Sequence, residues 1–135
     1  MAVWQATFQL VPTRGFPAEY RDLLDEIVPR IRSWSRDVEW WGNEDGDRID
    51  VLLDAGWPTA GLVRIDLREL DSGFIHAVLR FAAQTGLRLV DEDGQAIEPA
   101  LGEFMLALRG SRAFRFVENP VRYMNRLRAG GLEDA

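Results

Sequence analysis

The sequence predicts an α+β domain, an antiparallel or mixed sheet with helices packed on one face. Segments that alternate apolar and polar residues recur along the chain, as in Trp4, Ala6, Phe8 and Leu10 against Gln5, Thr7 and Gln9, the period of a half-buried strand. Between them lie apolar stripes at helical spacing, such as Phe74, Ile75, Val78, Leu79, Phe81 and Ala82. Turn sequences such as Asn43-Glu44-Asp45-Gly46 join successive alternating segments into hairpins. Helices sharing a chain with hairpin-linked strands place the fold in the α+β class.

The elements follow in order. Val3 to Val11 is a strand, ended by Pro12-Thr13-Arg14-Gly15. Pro17 opens a helix whose stripe is Tyr20, Leu23, Leu24, Ile27, Val28 and Ile31, and Pro29 stops or kinks it near Val28, having no N–H to donate. The stretch from Trp40 to Leu53 reads as two strands joined by a four-residue turn at 43–46. That length turns Val38 and Trp40 inward and Glu39 and Trp41 outward. Residues 54–61, including Trp57-Pro58, read as a longer loop before a strand with Val63, Ile65 and Leu67 inward and Arg64, Asp66 and Arg68 outward.

The register of those two strands is restricted. Paired residue numbers must have an even sum, or Arg64 and Asp66 would face the core. A sum of 114 sets Asp50 opposite Arg64 and Arg48 opposite Asp66, each a favourable cross-strand pair, and is the expected pairing. Asp71 or Ser72 then caps a helix that Gly86 ends. Leu87–Val90 and Ala96-Ile97 are short strands about an Asp-Glu-Asp-Gly turn, and Pro99 starts a helix running to Gly110. Phe114 to Val117 reads as a short edge strand or extended segment, and Asn119-Pro120 caps a last helix over 121–128. The element order is that of a ferredoxin-like variant with an expanded β-meander and a C-terminal helical extension. Residues 1–128 make one domain, and 129–135 are expected to fray.

Composition narrows the chemistry. With no cysteine there is no disulfide, thiolate metal site or cysteine nucleophile. All 16 basic residues are arginine, which removes lysine chemistry and the P-loop lysine. The net charge of −6 disfavours nucleic acid, whose binding depends on neutralising phosphates. Six arginines do cluster between 109 and 128, but no RNA-module pattern accompanies them. No apolar run approaches the ~20 residues of a membrane span, and the N-terminus lacks a signal-peptide pattern, so a cytoplasmic protein is expected.

No catalytic, metal or cofactor signature emerges. In an EF-hand alignment the two Glu-Asp-Gly turns put Trp41 or Leu89 at the first ligand position and Leu52 or Ala100 at the last, where carboxylates are required. His76, the single histidine, follows Ser72 at helical spacing, but no orienting acid accompanies them. The remaining candidates form a charged outer sheet face of Arg48, Asp50, Arg64, Asp66 and Arg68, joined by Trp41 and Trp57. Exposed tryptophan beside arginine is the composition of interaction hot spots. The expected function is a non-enzymatic protein-binding module, immunity-type or homodimeric, using that face. The alternative is a small-molecule or anion-binding protein or enzyme, with Arg64, Arg68 or Arg115 in a pocket between the sheet and the C-terminal segment.

The run from Trp41 to Val51, with Val63-Arg64-Ile65-Asp66, Glu92-Asp93-Gly94-x-x-Ile97-Glu98-Pro99 and the stretch from Ser111 to Pro120, resembles a group of small uncharacterised bacterial proteins. The resemblance spans most of the chain and implies no activity.

Overall fold

The structure, a computed structural model, describes residues 4–28 and 30–118, with only the backbone of 30–35 and 116–118. The described residues form seven strands, β1 (Gln5–Val11), β2 (Arg30–Ser35), β3 (Val38–Gly42), β4 (Arg48–Asp54), β5 (Trp57–Asp66), β6 (Arg88–Val90) and β7 (Ala96–Ile97), and four helices. The helices are α1 (Tyr20–Ile27), α2 (Ser72–Thr85), α3 (Leu101–Arg109) and α4 (Arg112–Glu118). The strands form one sheet in the order β2-β3-β4-β5-β1-β6-β7, and each pair is antiparallel. The molecule is therefore α+β, as its periodicities predict.

One sheet face carries Ala6, Phe8, Leu10, Trp41, Ile49, Val51, Val63, Ile65 and Leu89 into the core. Tyr20 and Leu24 of α1, Ile75, Val78 and Phe81 of α2, and Phe104 and Leu108 of α3 join them there. The Phe8 and Phe104 rings meet at 4.6 Å. The expected helix ends are present: Asp71 accepts from the Phe74 N–H at 3.1 Å to cap α2, and Gly86 ends that helix in the left-handed region, φ 74°. Helix α1 stops at Ile27, with Val28 extended at φ −138°, because a residue before proline is disfavoured in the helical region.

Several expectations are corrected. Helix α1 begins at Tyr20 rather than Pro17, whose carbonyl instead accepts from the Tyr20 N–H in a preceding turn. Ile31, assigned by its spacing to that helix, belongs to strand β2. Residues 112–118 are helix α4 rather than an edge strand, and Ala113 is buried in the core. The helix expected over 121–128 and the tail lie outside the described residues.

The two hairpins differ from expectation in phase. Gly42 pairs with Arg48, so the β3–β4 turn spans five residues, closed by Asn43 N–H to the Asp47 carbonyl at 2.8 Å. One extra residue reverses every side chain of the partner strand. Trp41 therefore faces the core, fully buried, and Trp40 faces outward.

In the β4–β5 hairpin the turn is Ala55-Gly56 alone, both at positive φ (53° and 84°), the twist-matched two-residue reversal. Trp57 and Pro58 are strand rather than loop. The tip pairs Asp54 with Trp57 and Leu53 with Pro58, an odd sum. A bulge at Thr59 then shifts the register to Leu52 opposite Ala60 and Arg48 opposite Arg64. The even-sum rule holds, but the sum is 112 rather than 114. Counting directly opposed charges selected the wrong register because the ion pairs run diagonally.

Candidate functional site

On the outer sheet face Arg48 and Arg64 stand side by side with Asp50 between them. Arg48 Nε lies 2.8 Å from Asp50 Oδ1, a contact of opposite charges whose geometry falls outside that of a hydrogen bond. Arg48 Nη2 and Arg64 Nη2 donate to Asp50 Oδ2, each at 3.2 Å. Asp50 is 3% exposed. The Arg48 guanidinium stacks over the Trp40 ring at 4.1 Å, an attraction of cation to ring quadrupole. These charges are spent on one another. Trp41, expected among them, instead donates its indole N–H to Asp25 at 2.7 Å from inside the core.

Trp57 is separate from that group. It is 76% exposed at the β4–β5 tip, beside exposed Asp54, Ala55 and Gly56. It pairs with Asp54 across the two-residue turn.

A cleft of about 600 Å³ lies at the β3–β4 turn end of the sheet. Its lining includes Val28, Asp47, Asp66, Arg68, Asp71 and Phe74. Elements distant in sequence build it: the turn brings Asp47, the end of β5 brings Asp66, and α2 brings Phe74. The Asp66 carboxylate is gripped by Arg68 at 2.9 and 3.0 Å, and Arg68 holds it below the usual carboxylate range. Asp47 behaves oppositely. Its Oδ1 accepts from the Asp66 N–H at 2.7 Å, yet burial, with Asp66 and Asp71 nearby, pushes its carboxyl up to about 6.

Compared with family models, curated proteins and solved structures, the chain has no match.

Arg64, Arg68 and Arg115 do not converge: Arg64 is held by Asp50, Arg68 by Asp66, and Arg115 lies on α4. The expected arginine pocket against the C-terminal segment falls largely on residues outside those described; the cleft at the β3–β4 turn is lined by four carboxylates and one arginine. Among those residues no three His, Asp or Glu side chains are arranged to hold a metal. Among the described residues no helix is long and apolar enough to cross a membrane. Sequence reasoning missed Asp47 because it reads as ordinary turn chemistry. It also missed Glu39, which the reversed phase turns inward, 5% exposed, to accept from the Tyr20 hydroxyl at 2.6 Å and pair with Arg21 at 2.9 Å. For Asp47 the available signal was an acid at the last turn position, directly before the charged strand residue Arg48.

Proposed function

We propose that the chain is a non-enzymatic protein-binding module that engages its partner with the β4–β5 hairpin tip, Trp57 foremost. The observation that carries this reading is the exposure of Trp57, 76%, at the first strand position after a two-residue turn. A large, stiff aromatic side chain held in place loses little entropy on docking, which is why tryptophan dominates binding hot spots. The neighbouring outer face, its charges already paired, forms a rim rather than the anchor.

Affinity capture from a bacterial lysate, run in parallel with wild type and Trp57→Ala and read by mass spectrometry, tests the proposal. A defined protein retained by wild type and lost in the variant is expected. If wild type sediments as a dimer and the variant as a monomer, the partner is a second copy. Equal capture and equal association states for the two proteins would refute the reading. The substitution itself should change folding stability by less than about 0.5 kcal/mol, as exposed positions do.

The second reading, a small-molecule site, is favoured by Asp47. An asparagine there could accept the same Asp66 N–H without a buried charge, so the carboxylate burdens the fold and suits a cationic group entering the cleft. Organic amines should raise the melting temperature of wild type and not of Asp47→Asn; equal shifts in both would remove this reading.

We also infer a ferredoxin-like variant with an expanded meander. The inference is supported by the neighbouring order β4-β5-β1-β6, with α1 and α2 in the connections.

A further inference from the structure

The β3–β4 turn is clasped through its carbonyls. Trp4 Nε1 and Gln5 Nε2, from the β1 end, donate to the Asp45 and Gly46 carbonyls at 3.2 and 2.8 Å. Arg68 donates to the Asp45 carbonyl and Arg48 to the Glu44 carbonyl, each at 3.1 Å. Asp47 reaches the other way, its side chain accepting the Asp66 N–H. There the β4–β5 ladder has run out: its last pair is Arg48 with Arg64, and beyond it the Asp66 N–H is taken by the Asp47 side chain.

We propose that this contact is a proton-operated latch on the cleft, closed while Asp47 carries a proton and loosened when Asp47 is ionised. The charged groups around it favour that sense. Asp66 from β5 and Asp71 before α2 repel an ionised Asp47. Glu69, between them, adds a third carboxylate to the lining. Glu44 and Asp45 on the turn itself are exposed, and beyond the end of α1 the cleft is lined by the apolar Val28. Arg68 has its guanidinium on Asp66, and Arg48 is engaged by Asp50. The hydrogen bond from the Asp66 amide works in the other direction, and burial outweighs it. Proton binding therefore favours the seated side chain, whatever ligand the cleft takes.

The test is hydrogen exchange of the Asp66 amide by NMR, corrected for its intrinsic rate, at pH 5 and pH 7.5. In wild type the opening constant should rise severalfold, with about tenfold as the ceiling set by linkage between an ordinary and a raised carboxyl. In Asp47→Asn, which keeps the acceptor and removes the charge, it should stay flat, and Asp71→Asn should show a smaller rise than wild type. No pH dependence in wild type, or the same dependence in Asp47→Asn, would overturn the latch. Direct 13C titration of the Asp47 carboxyl in wild type decides the matter if the variant fails to fold. A midpoint near 6 supports the latch, and one in the ordinary range for aspartate removes it.

Discussion

Asp50 holds two guanidinium groups on a sheet face that alternation alone would assign to solvent. With Asp50 3% exposed and the Arg48 and Arg64 side chains 11% and 15% exposed, removing the carboxylate leaves two confined cations facing each other across the ladder. Asp50→Ala should therefore destabilise the protein by about 3 kcal/mol in urea denaturation, the usual result of breaking a buried ion pair from one side. Adding Arg48→Met and Arg64→Leu should recover much of that loss. Single-residue chemistry was partly legible in the sequence. The Asp50–Arg64 attraction was anticipated and the ion pair exists, but diagonally, because long side chains reach past the directly opposed position. Burial of Asp50 was not legible, since it depends on three strands closing around one carboxylate.

Among elements, the β3–β4 turn has the greatest leverage. Gly42 enters it at φ 110°, and a Cβ there would collide with the Asp47 carbonyl. Gly42→Ala should lower stability by about 2 kcal/mol or more, from backbone strain plus the clash, and a chemical-denaturation midpoint measures it. Gly15→Ala, at φ 101° with nothing within 4 Å, should lower stability less, since strain acts there alone. Alternation on the two sides of the turn identified both strands, yet periodicity is blind to phase. Four or five residues in the turn decide whether Trp40 or Trp41 enters the core, and Asn43 to Asp47 contains acceptable turn residues for either length. Strand β2 was lost for a related reason: a short alternating segment after Pro29 can be absorbed into the preceding helical stripe.

At the scale of the whole molecule, Asp47 sets a pH dependence of stability. Its carboxyl lies near 6 in the folded protein against 3.8 as the ordinary value, so the native state binds more protons than the unfolded chain between those limits. This group's contribution is most favourable below pH 3.8, weakens as pH rises to 6, and is constant above. Asp47→Asn should melt higher than wild type at pH 7.5, by about 1 kcal/mol once solvent screening of a half-buried group is allowed for. The two melting curves should converge near pH 4. The fold class could be read from the chain because each element carries its own period and caps. The cleft could not, since residues 28, 47, 66, 68, 71 and 74 meet only after three connections have closed. The Thr59 bulge carries one more consequence. Leu53 packs on the core, so its partner Pro58 shares that side, whereas Trp57 pairs with Asp54 on the other. Without the bulge, Trp57 would keep step with Val63 and Ile65 and point inward. That one extra residue gives the hairpin tip a side-chain phase of its own: Trp57 stands on the outer side while the rest of β5 keeps its frame against β4 and β1.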